Sequence, residues 1–339
     1  MKPTISLERL WTACVAGQRD FSNLDLTTTD LKAWNLAKVN FSGANFSHAN
    51  LADANLQRST LRAAQLQGAN LTRADLRGAD LRDANLHNAD LTQVRLERAL
   101  YNHRTNFPPG FCPLQAGLWP IQPGALLAMK DLRDLDLSHA DLSGADLSGA
   151  LLVNSTLVAT SLHQANLLNA LLSCSNLSQA NLHRATLMLA DLSGANLRYT
   201  DLRKANLIGA NLQGCDLTGA TLQGAFYSDS TRLPRDFQAL EPLYRLAPGA
   251  TLSGVDLSGA RLTGLDLRGA QLVGANLMHT DLWGTCLAQA NLTGANLLGA
   301  NLLGADLEGA NLDRTNLRQA IIDPLTATAA TTAIHRWPA

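Results

Sequence analysis

The sequence has little charge, few aromatic side chains and no long apolar run. Of its 339 residues, 16% are charged and 5% are aromatic. The 27 Lys+Arg nearly balance the 28 Asp+Glu, which leaves a formal net charge of −1. A protein held on nucleic acid by bulk electrostatics carries a strong basic excess, so this class is excluded. No apolar run approaches the roughly 18 residues that cross a bilayer, so we expect no membrane contact.

Cysteine and targeting signals are also sparse. The five cysteines are odd in number, widely spaced and form no CxxC pair, which predicts neither a disulfide framework nor a zinc site. The N-terminal stretch lacks the uninterrupted apolar region of a secretory signal. We therefore expect a cytoplasmic protein with no metal and no other cofactor.

What the sequence does have is leucine, at about one residue in five, placed with a period of five. Every fifth residue is Leu or Phe from 21 to 96, Leu from 127 to 222, and Leu or Ile from 252 to 322. The residue two positions before each of these central residues is most often Ala, and the residue directly before is most often Asp or Asn. A large and a small side chain that alternate inward would fill a narrow interior without voids.

This pattern, as in Ala69-Asn70-Leu71-Thr72-Arg73, resembles the pentapeptide-repeat family. The resemblance implies an all-β fold, a right-handed quadrilateral β-helix in which four pentapeptides form one square coil. It also implies that the central Leu and the small residue two before it point inward. Residues 20 apart should then lie above one another.

The ends and interruptions of the repeat complete the expected organisation. Leu7, Leu10, Trp11, Cys14 and Val15 share one helical face, which predicts a short capping helix over the first coil. Two Pro-rich stretches cannot continue a ladder, because proline lacks the N–H group. They match each other, Tyr101 with Tyr227 and Thr105 with Thr231, which indicates an internal duplication. The sequence leaves open whether the two Pro-rich stretches interrupt one continuous rod or join separate rods.

The predicted divisions are a capping helix (1–20), a first block (21–101), a Pro-rich loop (102–126), a second block (127–227), a second Pro-rich loop (228–251), a third block (252–322) and a tail (323–339). The tail is predicted as either a weak capping helix or a disordered segment.

Two columns of basic side chains follow from the 20-residue spacing. The first contains Lys38, Arg58 and Arg98, and the second contains His163, His183 and Arg203 beside Arg184 and Lys204. For the second column the alternatives are an anion or metal site and a solvated basic surface. For the first column they are a role in solubility and a weak contact with a partner. Two histidines alone are too few ligands for zinc.

Apolar side chains at outward positions are the strongest hint of function. They are Leu151, Leu168, Leu171, Met188, Leu189 and Ile208 in the second block, and Val273, Met278, Trp283, Leu298 and Leu303 in the third. Contiguous apolar surface often marks an interface. The alternative is that a loop or the tail covers these residues. Because they point outward, we expect Leu168, Met188 and Ile208 to tolerate serine.

No catalytic motif accompanies the repeat, so we expect no enzyme. The first functional hypothesis is a rigid scaffold or regulator that binds a protein partner of unknown identity, with a homodimer as one form of such binding. The resemblance extends to soluble cyanobacterial pentapeptide-repeat proteins. The alternative comes from family members that imitate DNA and bind DNA gyrase. Their strongly negative surface is missing from this balanced sequence.

Overall fold

The structure, a computed structural model, describes residues 3, 5–235, 237–238, 243–324 and 326. The chain divides into two compact units, residues 1–125 and 126–339. Within the described residues, the regular elements are the helix α1 (Leu7–Val15) and the strands β1 (Leu100–Tyr101), β2 (Trp119–Pro120), β3 (Phe226–Tyr227) and β4 (Tyr244–Arg245). Among the described residues, no helix has the length and apolar character needed to cross a membrane. The predicted tail lies almost wholly outside the described residues.

Each pentapeptide forms one turn and one β-bridge. In a typical repeat the Ala74 amide donates to the Leu71 carbonyl at 2.9 Å, which closes a four-residue turn. Arg73, the third residue of that turn, has a φ of 59°, the left-handed value that a type II turn requires there. Asp75 pairs in parallel with Asn55, 20 residues earlier. Four pentapeptides therefore complete one coil, and the predicted columns of residues 20 apart are confirmed.

The central leucines fill the inside of the coils. Leu182 exposes 0% of its surface, and burying such a side chain contributes about 1.5–3 kcal/mol. Where Thr or Ser replaces the inward Ala, its hydroxyl finds a backbone acceptor. Thr160 donates to the Leu137 carbonyl of the preceding coil at 2.9 Å, and Ser155 donates to Leu152 of its own turn at 2.6 Å. Inward hydroxyl groups therefore do not leave a buried donor unpaired.

Helix α1 packs on the core of the first unit through Leu10, Ala13 and Cys14. The helix begins after Ser6, whose side chain accepts a backbone amide of the first turn at 3.3 Å. Leu10 is fully buried in the first-unit core. Trp11 and Val15 expose 53% and 70% of their surface, so these two members of the apolar face contribute little to that packing. Trp11 instead meets Trp34 edge to face, with ring centroids 5.3 Å apart.

The two Pro-rich loops begin with the same hydrogen bonds. The Thr105 hydroxyl donates to the Leu81 carbonyl at 2.9 Å, and the Thr231 hydroxyl donates to the Leu207 carbonyl at 2.8 Å. Strand β2 then pairs in parallel with β1, as β4 does with β3. The matched sequence positions therefore occupy matched structural positions.

Within the unit 126–339, the third block packs against the outer side of the second block. Ile208, which points outward from its own coil, shares a buried cluster with Leu252 of the first coil of the third block. Met188 packs against the same cluster. The Asn206 side-chain amide donates to the Arg261 carbonyl at 3.0 Å. We call this contact the block junction.

The second loop joins two separate ladders. Among the described residues, no β-bridge pairs the second block with the third. The ladder of the third block starts where Thr251 pairs with Gln271. Strand β4, in the second loop, pairs with β3 at the end of the second block. The second loop is therefore a connection between blocks and does not interrupt one continuous ladder.

Candidate functional site

The block junction places the second basic column in a groove. The groove encloses about 560 Å³ and is lined by all five residues of that column: His163, His183, Arg184, Arg203 and Lys204. Tyr244 and Asp256 contribute to its other wall. The sequence therefore predicts the cationic wall of this groove. The facing wall comes from residues that are distant in the chain.

Asp256 of the third block forms ion pairs with two cationic side chains of the second block. Lys204 Nζ lies 2.6 Å from its carboxylate, and an Arg184 guanidinium nitrogen lies 3.3 Å from it. Burial by itself would raise the pKa of Asp256. Hydrogen bonds from Lys204 and Ser258 outweigh burial and lower that pKa to about 2. The carboxylate therefore stays ionised at neutral pH and neutralises part of the cationic wall.

The two histidines lie side by side on the same wall. The ring centroids of His163 and His183 are 5.2 Å apart, with the rings tilted by 51°. Burial lowers the pKa of His183, and the positive charges of His163, Arg203 and Arg184 lower it further against the opposing effect of Asp201. The imidazole of His183 thus sits in a locally positive field.

The remaining column member, Arg203, is held in place by its own pentapeptide. Two guanidinium nitrogens donate to the Asp201 carboxylate at 2.9 and 2.7 Å, a bidentate geometry that fixes the guanidinium plane. In the part of the chain that the structure describes, no three His, Cys, Asp or Glu side chains meet in a way that would hold a metal ion. The chemistry of the groove is therefore that of hydrogen-bond donors and positive charge.

The first basic column lies on an exposed surface of the other unit. Lys38, Arg58 and Arg98 all occupy the third turn position, with φ values of 60°, 54° and 64°. Arg98 also stacks over the Trp119 ring, 5.8 Å from its centroid. Lys38, Arg58 and Arg98 are all exposed, so we interpret this column as an exposed basic surface.

One corner of the second block carries exposed apolar side chains. Leu171 and Leu189 expose 41% and 54% of their surface, and Leu151 and Leu168 are half-buried beside them. Leu151 and Leu171 are direct partners in one parallel bridge. We call these four residues the corner patch.

The expectation that Ile208 and Met188 extend this exposed surface is wrong. Ile208 is only 5% exposed, and Met188 is half-buried against the same cluster. The physical reason is the block junction, since the first coil of the third block covers both side chains. The second Pro-rich loop contributes to the same cluster through Leu246, and Tyr244 packs against it.

The third block also carries exposed or half-buried apolar side chains, among them a tryptophan. Trp283 and Val273 expose 57% and 38% of their surface, and Met278, Leu298 and Leu303 are half-buried. The Gly284 amide donates to the Leu303 carbonyl at 2.9 Å, which places Leu303 one coil beyond Trp283. By the same 20-residue stacking, Leu298 lies one coil beyond Met278 on the neighbouring face, and Val273, ten residues before Trp283, lies on the opposite face. We call Trp283 and Leu303 the Trp283 patch.

Several exposed or groove-lining residues escape sequence reasoning. Tyr199 is 59% exposed at a third turn position, and Met129 is 77% exposed at another. Both residues stand two positions after a central leucine, an outward position, so the repeat pattern alone could have identified them as exposed apolar or aromatic side chains. Tyr244 and Asp256 carry no such signal, because Asp256 resembles every other Asp that precedes a central leucine.

Comparison with known proteins supports the repeat assignment. The family model for pentapeptide repeats matches in eight copies, at residues 25–62, 59–98, 124–153, 131–167, 150–187, 187–224, 249–284 and 285–322. No curated protein matches the chain.

Similar solved structures include two from a Nostoc strain. The pentapeptide-repeat protein alr5209 of Nostoc Pcc 7120 is 38% identical over 35% of this chain and 98% of its own, with a TM-score of 0.34. HetL of Nostoc sp. strain PCC 7120, described as involved in heterocyst differentiation regulation, is 27% identical over 94% of this chain and 97% of its own, with a TM-score of 0.25.

A third similar structure is QnrB1, a plasmid-mediated fluoroquinolone resistance protein. It is 18% identical over 62% of this chain and 84% of its own, with a TM-score of 0.22. The family model, by contrast, covers well over half of the chain and falls on the same three blocks that carry the β-bridges. The chain therefore belongs to the pentapeptide-repeat family.

Proposed function

We propose that this protein is a non-catalytic scaffold that binds a protein partner through the Trp283 patch. The observation that carries the proposal is the 57% exposure of Trp283 beside the apolar side chain of Leu303, which lies one coil beyond it. Exposed tryptophans within apolar surroundings are the commonest anchors of protein interfaces. The positions after most central residues elsewhere in the chain are polar, so the patch departs from the rule of its own repeat.

The test compares partner capture by three forms of the full-length chain. The forms are the wild type, the double variant Trp283→Ser/Leu303→Ser, and Tyr199→Ser as a control for an exposed aromatic residue outside the patch. We expect one or more native-cell proteins to bind the wild type and the control but not the double variant. Such a protein is then purified, and its affinity for the double variant should fall at least tenfold. Equal affinity for all three forms would contradict the proposal.

The DNA-mimicking alternative receives less support from the charges. Many aspartates of the coils face an arginine, as Asp53 does with Arg73 at 2.7 Å and Asp131 with Arg133 at 2.7 Å. Such pairing does not produce the negative field that an imitation of DNA needs. A gyrase supercoiling assay separates the two functions. We expect no effect at stoichiometric excess, and inhibition would favour the alternative.

We further propose that the coils wind as a right-handed quadrilateral β-helix and that α1 caps its first coil. The 20-residue spacing of the parallel bridges and the burial of Leu10 support this arrangement. A crystal structure of the full chain tests both statements. A left-handed coil, or a first coil left open, would contradict them.

A further inference from the structure

The groove at the block junction concentrates donors and positive charge in a concave site. Three permanently charged side chains (Arg184, Arg203 and Lys204) and two histidines line it. In the described part of the chain, the carboxylates that pair with these groups are Asp256 on the opposite wall and Asp201 in the pentapeptide of Arg203 itself. The three permanently charged side chains outnumber these two carboxylates even without a charge on either histidine. An anion that enters the groove would reduce this imbalance.

The donors of the groove suit an oxyanion. Imidazole N–H, guanidinium and ammonium groups all donate to phosphate oxygens, and a guanidinium does so with a fixed planar fork. Gln164 and Gln223 add amide donors, and Tyr244 adds a hydroxyl group. A cation is disfavoured, because Asp256 already accepts from Lys204 and Ser258 at 2.6 and 2.7 Å.

The histidine pair supports the same conclusion. Burial and the nearby positive charges lower the pKa of His183, so the histidine loses its proton more readily than usual when the groove is empty. A bound anion would reverse the sign of the local field and favour the protonated, doubly donating form of the ring.

We propose that the groove between the second and third blocks binds a phosphate group, with His163, His183 and Arg203 as its principal donors. The phosphate is either free in a small molecule or carried on a phosphorylated side chain of a partner, since both present the same oxygens. This inference is independent of the Trp283 patch, which lies at other positions of the third block.

The test follows the histidine ring signals of the full-length chain by NMR while inorganic phosphate is added. We expect the resonances of His163 and His183 to shift saturably, and those of His48, which lies in the first block, to stay constant. Parallel titrations with phosphoserine peptide and with AMP distinguish the two sources. A peptide that binds at least tenfold more tightly than AMP identifies a phosphorylated partner, and the reverse order identifies a small molecule.

Two variants test the donors, and one serves as a control. His163→Gln/His183→Gln and Arg203→Gln should each weaken phosphate binding at least tenfold. Gln already occupies the same outward position of other pentapeptides, for example at Gln67, so the double variant should fold. Arg198→Gln removes a guanidinium from the neighbouring pentapeptide, where Arg198 pairs with Asp216 at 3.1 Å, and should bind like the wild type. Absence of any saturable shift in the wild type, or equal binding by all variants, would overturn the proposal.

Discussion

At the residue scale, the third position of each turn is the most constrained position outside the core. Its φ is positive in every repeat that the structure describes with a turn, whether the residue is glycine or not, for example 54° at Ala63 and 63° at Gly274. A side chain costs about 1–2 kcal/mol in this left-handed region. The third block mostly uses glycine there, and the first block mostly uses larger residues. The two blocks therefore carry different amounts of backbone strain.

Substitutions at this position should change stability in opposite directions. Gly274→Ala should lower the free energy of unfolding by about 1 kcal/mol, because nothing lies within 4 Å of the added methyl group and only backbone strain is introduced. Gly309→Ala should have a similar effect, since only the flexible terminal amide of Gln289 must move aside for the new Cβ. Ala63→Gly should raise the free energy of unfolding, because it removes the side chain from the left-handed position. Urea unfolding measures all three variants, and a Gly274→Ala variant as stable as the wild type would contradict the strain argument.

A second residue-scale prediction concerns acid stability. Two hydrogen bonds from Arg77, at 2.9 and 2.7 Å, are the main reason why the pKa of Asp75 is about 2, against the opposing effect of burial. The folded pKa lies below the value of about 3.9 for an unfolded chain, so the stabilisation is complete above pH 4 and is lost as the pH falls toward 2. Its size at neutral pH is about 2 kcal/mol.

Asp75→Asn should remove that stabilisation at pH 7 and flatten the dependence of the urea midpoint on pH between 4 and 2. Asp53→Asn is the matched control, because the Asp53–Arg73 ion pair is exposed and exposed pairs contribute little. If the Asp75 variant kept the acid sensitivity of the wild type, another carboxylate would be responsible.

At the scale of elements, the block junction buries some outward side chains of the second block and leaves others exposed to solvent. Ile208→Ser should destabilise the second unit by about 2–4 kcal/mol, because it removes a buried side chain and places a hydroxyl in an apolar cluster. Leu168→Ser, at the equivalent position two coils earlier, should change the free energy of unfolding by less than about 1 kcal/mol, since Leu168 lies half-buried outside that cluster. Urea unfolding measures both. Equal costs would show that the third block does not cover Ile208.

The coils themselves follow from local sequence, whereas the junction does not. A period of five predicts the stacking of His163 over His183, because both residues obey the same short repeat. Asp256 reaches Arg184 across 72 residues, although its place directly before a central leucine is the ordinary place of Asp in this repeat. The burial of Ile208 likewise depends on how the second loop directs the chain. A local pattern encodes a coil, but the contact between coils of different blocks depends on the whole path between them.

At the scale of the whole molecule, the first unit has a β-ladder and a buried core of its own. In the first unit, the described β-bridges from Asp20 onward pair residues that all lie before residue 126. Its buried cluster runs from Leu10 to Leu118 and also stays within residues 1–125. Repeat proteins of this kind gain stability from contacts between neighbouring coils, so the ladder of the first unit is complete in itself.

Residues 1–125 should therefore fold when expressed alone. The fragment keeps α1 at one end, and at the other end it keeps the first Pro-rich loop, where Phe107 and Phe111 stack at 5.0 Å and pack on the core. We expect a cooperative urea transition, and Leu71→Ala should cost about 2–5 kcal/mol in the fragment as in the full chain. A fragment that ends at residue 85 is the matched control, because it removes the pairing partners of the last full coil and exposes its leucines. If the 1–125 fragment were as unfolded as this control, the first unit would depend on residues 126–339, and the coil-by-coil account of its stability would be wrong.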